Sequence, residues 1–176
     1  MFEYEGKAIC FGDDINTDYI ISSRRKKDTI DPYELVPYLM EDIRPNLVDL
    51  LVDQVLFVAG ENFGCGSAME VAAQIVKAAG IPIIIAKSFA RSYFRNAINN
   101  GILAIQADTS HFREGDIVRV RMEDESVTIW NLSTEYVGHH VAPQGKIREI
   151  LDAGGLIPYV ATLNKEELHG NRREDQ

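Results

Sequence analysis

The fold is decided by "DQVLFVAGENFGCGSAMEVAAQIVKAAGIPIIIA", residues 53–86. A short apolar run (55–59) bends through Gly60, Gly64 and Gly66. Ala72, Ile75, Val76 and Ala79 then recur at helical spacing, and a second apolar run closes the stretch. Short, continuously apolar strands separated by a helix pair in parallel, with helices covering a face of the sheet. The next stretch, "KSFARSYFRNAINNGILAIQA" (87–107), supplies another helix and another strand, so the centre of the chain predicts a parallel β-α-β-α-β unit. Gly80 and Gly101 suit the stop positions of the two helices, and Ser88 is placed to cap the second.

Working outward, "KAICFG" (7–12) reads as a strand entering a polar loop, "DDINTDYIISS" (13–23), where Asp and Asn side chains can bond their own backbone. The basic run Arg24, Arg25, Lys26 and Lys27 follows. Asp31 then caps a short helix with Pro32 at its first position and Leu35 and Leu39 on its apolar face. Downstream the period changes: Ile117, Val118 and Val120, then Val127, Ile129 and Leu132, mark two alternating strands around "EDES", an antiparallel extension. A helix with Ile147, Ile150 and Leu151 on one face stops at Gly154 and Gly155. These elements predict a single domain over 1–165 and a charged, frayed tail over 166–176.

With 176 residues, 45% hydrophobic and 26% charged, the chain has the composition of one ordinary globular core. Its 27 acidic residues outnumber 18 basic ones, and a net charge of -9 argues against a nucleic-acid partner. No basic segment leads into an apolar one at the start. No uninterrupted apolar run reaches the roughly 18 residues of a membrane helix, so a cytoplasmic protein without a membrane partner is expected. Cys10 and Cys65 are too few and too far apart for a disulfide framework or a metal knuckle. A cluster held by three or four cysteines would therefore belong to another chain.

The glycine turn carries the chemistry. Unpaired N–H groups and the dipole at a helix start favour anions, and glycines at 64 and 66 let a ligand approach the backbone. Ser67, at the end of the turn, sits where an alkoxide would be stabilised, as a base or nucleophile. From spacing alone the plainer alternative stands beside it: Ser67 as an N-cap worth about 1 kcal/mol. The turn is neither a GxGxxG dinucleotide fingerprint nor a GxxxxGK[ST] phosphate loop. Cys65 reads either as a packed thiol or as a mildly activated one. Arg91 and Arg95 lie at i, i+4 on one helix face, and Arg91 reads as structural. His139 and His140 are adjacent on a strand, point to opposite faces and make a poor metal pair.

Three segments, "GDDINTDYIIS" (12–22), "GENFGCGSAMEVA" (60–72) and "AKSFARSYFRNAINNGI" (86–102), in this order and at these separations, resemble the small subunits of 3-isopropylmalate dehydratase and their relatives in the aconitase superfamily. The resemblance implies a swivelling β/β/α domain like the C-terminal domain of aconitase. It implies a two-chain hydro-lyase isomerising a malate-type 2-hydroxy acid, with leucine biosynthesis the first pathway to consider. It implies a [4Fe-4S] cluster carried by a separate large subunit, whose iron acts as Lewis acid on the departing hydroxyl; this chain would bind no metal. By position, Ser67 would be the base that removes the proton next to a substrate carboxylate. Asp18 matches the family's active-site aspartate, whose plainer reading is a side chain that structures its loop. Gly64, Cys65 and Gly66 would line the substrate.

The sequence departs from the family where "GCGSSRE" is usual. Ala68 and Met69 stand in place of a serine and a carboxylate-binding arginine, a loss that commonly costs about 2 to 5 kcal/mol. The basic run Arg24–Lys27 occupies the loop that in the family meets the variable end of the substrate. One of its cations, Arg25 or Lys27 foremost, is expected to replace the arginine; the alternative is a solvated basic loop. The same departure opens related substrates, 2,3-dimethylmalate or homocitrate-type acids. It also opens a different class, a binding or regulatory module that has kept the fold and lost turnover. A redox protein using Cys65 is a third class.

Overall fold

The computed structural model describes residues 1–27 and 29–170. Strand β1 (Phe2–Cys10) enters the loop containing the one-turn helix α1 (Thr17–Ile20), a 3-10 turn at Arg25–Lys27 and a second short helix, α2 (Pro32–Leu35). Then follow β2 (Val55–Ala59), α3 (Glu70–Ala78), β3 (Ile83–Ala86), α4 (Arg91–Asn99), β4 (Leu103–Gln106), β5 (Ile117–Met122), β6 (Ser126–Asn131), β7 (Val137–Val141), α5 (Gly145–Asp152) and α6 (Leu156–Gly170). All seven strands form one sheet in the order β4-β3-β2-β1-β5-β6-β7. β1 is the hinge of this topology. Its second half, from Lys7 to Cys10, runs parallel to Val55–Val58, while Phe2–Lys7 run antiparallel to β5. The antiparallel extension that the change of period predicts is present, and it meets the parallel unit on this one strand.

The continuous apolar character of β2 is explained by burial on both faces. Val55, Phe57 and Ala59 join the core under the helices with Ile75, Val76 and Tyr93. Leu56 and Val58 face the other way, into a core shared with Ile83, Ile85, Val118, Val120 and Ile129. The sheet curls into a half-barrel around this second core, so that its far edges β4 and β7 both reach one groove of about 360 Å³, lined by Phe94, Leu103, Ile105, Val127, His140 and Ile147.

The alternation of β7 places His139 outward beside the Thr128 hydroxyl and turns His140 toward this groove, separating the two rings as expected. His140 Nε2 is buried with no hydrogen-bond partner among the described residues. Burial, and then the neighbouring His139, push its imidazole below the ordinary value of 6.5. As the pH falls below that value, the unfolded chain takes up this proton before the folded chain does, so stability is full above it and is lost through the folded-state value. Calorimetric Tm is expected to decline on acidification below pH 6.5 less steeply in His140→Leu than in the parent. Parallel curves would show that another group sets the slope.

Several boundaries differ from expectation. Ser88 does not cap α4. Ala90 occupies that position without a side-chain bond, and the Ser88 hydroxyl instead accepts the amide of Asn62. Asp31 does cap α2, accepting from the Tyr33 amide. After Gly154 and Gly155 the chain restarts as α6, which is tied to α5 where the Tyr159 hydroxyl donates to Glu149. Position 165 thus falls inside a helix, and 171–176 of the expected tail lie outside the described residues.

Candidate active site

The loops that follow β1, β2 and β3 continue the strands' parallel course side by side. Gly60 donates its amide to Gly12, Asp14 to Glu61, Gly64 to Ile15 and Thr17 to Cys65, while Phe63 and Ala90 link the second loop to the third. The carboxyl ends of parallel strands, where loops diverge, are the usual location of a ligand site in α/β sheets.

Two stretches, Asn16–Asp18 and Gly64–Ser67, lock together there. The buried Thr17 donates its hydroxyl to the carbonyl of Ser67 at 3.0 Å. The Asn16 side chain accepts the Asp18 amide at 2.9 Å and lies so close to Gly66 that a Cβ on that glycine would meet its amide at 2.5 Å. Gly64 and Gly66 have φ of +78° and +89°, backbone that L side chains rarely adopt. Asn16 and Thr17 were not singled out from sequence. Their signal was the Asn-Thr-Asp run before a single helical turn, in which Asn16 is the N-cap.

Ser67 is exposed, and its hydroxyl has no partner among the described residues, while its carbonyl is held by Thr17 and by the Met69 amide. It is not an N-cap. The positive φ of Gly66 and a tight turn closed by the Met69 amide on the Ser67 carbonyl follow one another here, and α3 begins only at Glu70, with Met69 at the capping position and no side-chain bond to the helix. The amides of Gly66, Ser67 and Ala68, the residues of the turn that carries the hydroxyl, donate to no acceptor among the described residues and are available to a ligand. Such an arrangement suits developing negative charge. Asp18 lies one residue beyond Thr17, half-exposed, accepting the Ser23 hydroxyl at 2.6 Å.

The four cations of the basic run separate. Arg24 pairs with Asp42 at 2.6 Å, and Arg25 forks onto both oxygens of Glu41 at 2.8 Å with its guanidinium 3.9 Å over the Tyr38 ring. Lys27 is exposed. Lys26 is the cation turned to the site: its ammonium rests on the Met69 sulfur and lies 3.9 Å from Asp18, and only 20% of its side chain is exposed. Of the two residues expected to replace the missing arginine, Arg25 is thus paired with Glu41, and the cation in contact with Met69 is the residue between them. Arg91 and Arg95 are exposed and form no ion pair among the described residues, and Arg91 starts α4 beside the Phe63–Ala90 link.

Burial, and then Asp14, push the Cys65 thiol up, the reverse of what an activated thiol needs. Among the described residues no three His, Cys, Asp or Glu side chains are grouped to hold a metal, and no helix is long and apolar enough to cross a membrane.

A family model described as the aconitase C-terminal domain matches residues 19–110. The chain is 44% identical over 164 residues to the methanogen homoaconitase small subunit of Methanocaldococcus jannaschii, spanning 93% of each. It is 41% identical over 169 residues to the 3-isopropylmalate dehydratase small subunit of Sulfurisphaera tokodaii, covering 95% of this chain and 98% of the relative. The crystal structure of a 3-isopropylmalate dehydratase from M. jannaschii superposes with a TM-score of 0.84 at 40% identity, over 98% of this chain and 99% of that one.

Proposed function

The chain belongs to the aconitase C-terminal domain family, and from that membership we propose that it is the small subunit of a two-chain hydro-lyase that isomerises a malate-type 2-hydroxy acid, 2-isopropylmalate to 3-isopropylmalate in the first instance. The observation that carries this reading is the Lys26–Met69 contact. A module that had lost its carboxylate-binding arginine and its turnover has no reason to return a cation to the same place. Here a part-buried lysine, arriving from a segment 43 residues away, does so.

In this proposal Ser67, as its alkoxide, takes the proton from the carbon next to a substrate carboxylate. The free amides of Gly66, Ser67 and Ala68 hold the negative charge that this requires. Lys26 binds a carboxylate, and its ammonium steadies Asp18 at the edge of the site. Arg91, exposed and unpaired among the described residues, offers a second cation on the same rim. The residues of this chain do not fit an iron–sulfur cluster, since Cys10 ends β1 while Cys65 bridges to Asn16. The cluster therefore belongs to the large subunit in this reading, and this chain contributes binding and proton transfer.

A second reading, a substrate with a third carboxylate such as a homocitrate-type acid, is favoured by Lys27, the one member of the basic run that is exposed and without a partner among the described residues. The test is anaerobic reconstitution with the large subunit, following alkene absorbance over a panel of isopropyl-, dimethyl- and carboxyl-bearing malates. Lys26→Ala is expected to raise KM for every accepted acid by roughly tenfold or more, and Arg24→Ala to leave it within about twofold. No turnover with any member of the panel, in a complex with an intact cluster, would favour the binding module.

A further inference from the structure

The basic run is clasped along one side, and the clasp has a consequence for the site. Glu41 is anchored from below: the preceding Met40 is fully buried with φ of +57°, and its amide donates to the Ile20 carbonyl at 3.0 Å, the last residue of the turn that carries Asp18. From this base the Glu41 carboxylate takes both ends of the Arg25 guanidinium, and Tyr38 supports the guanidinium's flat face. A two-point planar pair fixes orientation as well as distance. Arg25 opens the 3-10 turn Arg25–Lys27, so orienting it also orients the next residue, Lys26.

We propose that Glu41, through Arg25, is a positioning residue that holds the Lys26 ammonium over Met69 at the substrate site. Charge alone would not require this pair: Arg24 and Asp42 supply the same charges beside it, and Arg24 also reaches Glu41 at 3.7 Å, but these contacts are single-point and Arg24 is largely exposed. The fork between Arg25 and Glu41 holds the Glu41 carboxyl below its usual range, as a formed ion pair does. The inference rests on the proposed role of Lys26 in binding a carboxylate.

Steady-state kinetics of the reconstituted complex and peroxide oxidation of Met69 in the purified chain, followed by mass spectrometry, test it together. Glu41→Gln is expected to raise KM for the acid about tenfold with kcat within about twofold. The expected result includes faster Met69 sulfoxide formation, because the ammonium no longer covers the sulfur. Arg25→Ala should match it, Arg25→Lys should not rescue it, and Arg25→Ala with Glu41→Gln should be no worse than either alone. Wild-type KM and oxidation rate in Glu41→Gln, in a chain where Lys26→Ala changes both, would overturn the positioning role. If Lys26→Ala leaves KM unchanged, the carboxylate reading fails instead; faster Met69 oxidation in Glu41→Gln then still upholds the clasp, and an unchanged rate overturns it.

Discussion

Ser67→Ala, assembled with the large subunit, is expected to lower kcat by about a thousandfold, within the range that removing a positioned general base commonly costs, while KM moves by no more than about twofold. The structure makes this substitution unusually clean. The Ser67 hydroxyl has no partner among the described residues, so deleting it breaks no bond. The backbone there is fixed from elsewhere, by the Thr17 hydroxyl and the Met69 amide on the Ser67 carbonyl, so the turn keeps its shape. Stability is therefore expected to change by less than about 0.5 kcal/mol, as for an exposed site away from packing. Thr17→Val is the informative control. It leaves the hydroxyl of Ser67 in place but releases the carbonyl that aims it, so activity is expected to fall with some loss of stability. A complex that turns over normally with Ser67→Ala would dismiss the base assignment and return the free amides of the turn to a purely binding role.

The parallel unit was legible because its two inner strands, β2 and β3, are buried on both faces and each helix on one. The two periods therefore appear undisguised between Val55 and Gln106. The antiparallel part was legible for the opposite reason: β5 and β6 alternate because only one of their faces meets the core. What misled was local chemistry taken at face value. Ser67 and Ser88 have the composition of caps, but the turn at Gly66 leaves the first short of the helix start, and the Asn62 amide claims the second. The site was legible only in outline. "FGCGS" announces a turn with a presented hydroxyl, yet nothing in the order of residues says that Thr17 holds it, since the two lie 50 positions apart. The same holds for the basic run. Which of four consecutive cations meets Met69 depends on Glu41 and Asp42, which hold Arg25 and Arg24 and leave Lys26 in that contact. Pairings at that separation follow from tertiary structure, and no local pattern encodes them.

Gly64→Ala is expected to be among the most damaging alanine substitutions at the described glycines, and comparison with Gly80→Ala separates the reasons. Both glycines have nearly the same left-handed backbone, φ of +78° and +79°. A Cβ at Gly80 meets nothing within 4 Å, so its alanine variant pays only the conformational penalty, roughly 1 to 2 kcal/mol. A Cβ at Gly64 would lie 2.1 Å from Cγ and 2.3 Å from Cβ of Tyr93. Those atoms are the root of the side chain, so the ring cannot rotate away. Nor can it retreat, because Tyr93 is fully buried, its ring set edge-on to Phe63 with centroids 5.2 Å apart, and its helix packs on α3. The overlap must then be relieved by moving α4 or the glycine turn, which adds the 1 to 3 kcal/mol typical of overpacking, for a total of about 2 to 5 kcal/mol. Denaturant unfolding of the two variants reads the difference directly, and equal losses would mean that the turn yields without strain. Because the amide of Gly64 also donates to Ile15, any such yielding moves the loop that carries Asn16, Thr17 and Asp18. Residual activity in Gly64→Ala is therefore expected to fall further than its folded fraction accounts for, which ties the stability of the turn to the aim of Ser67.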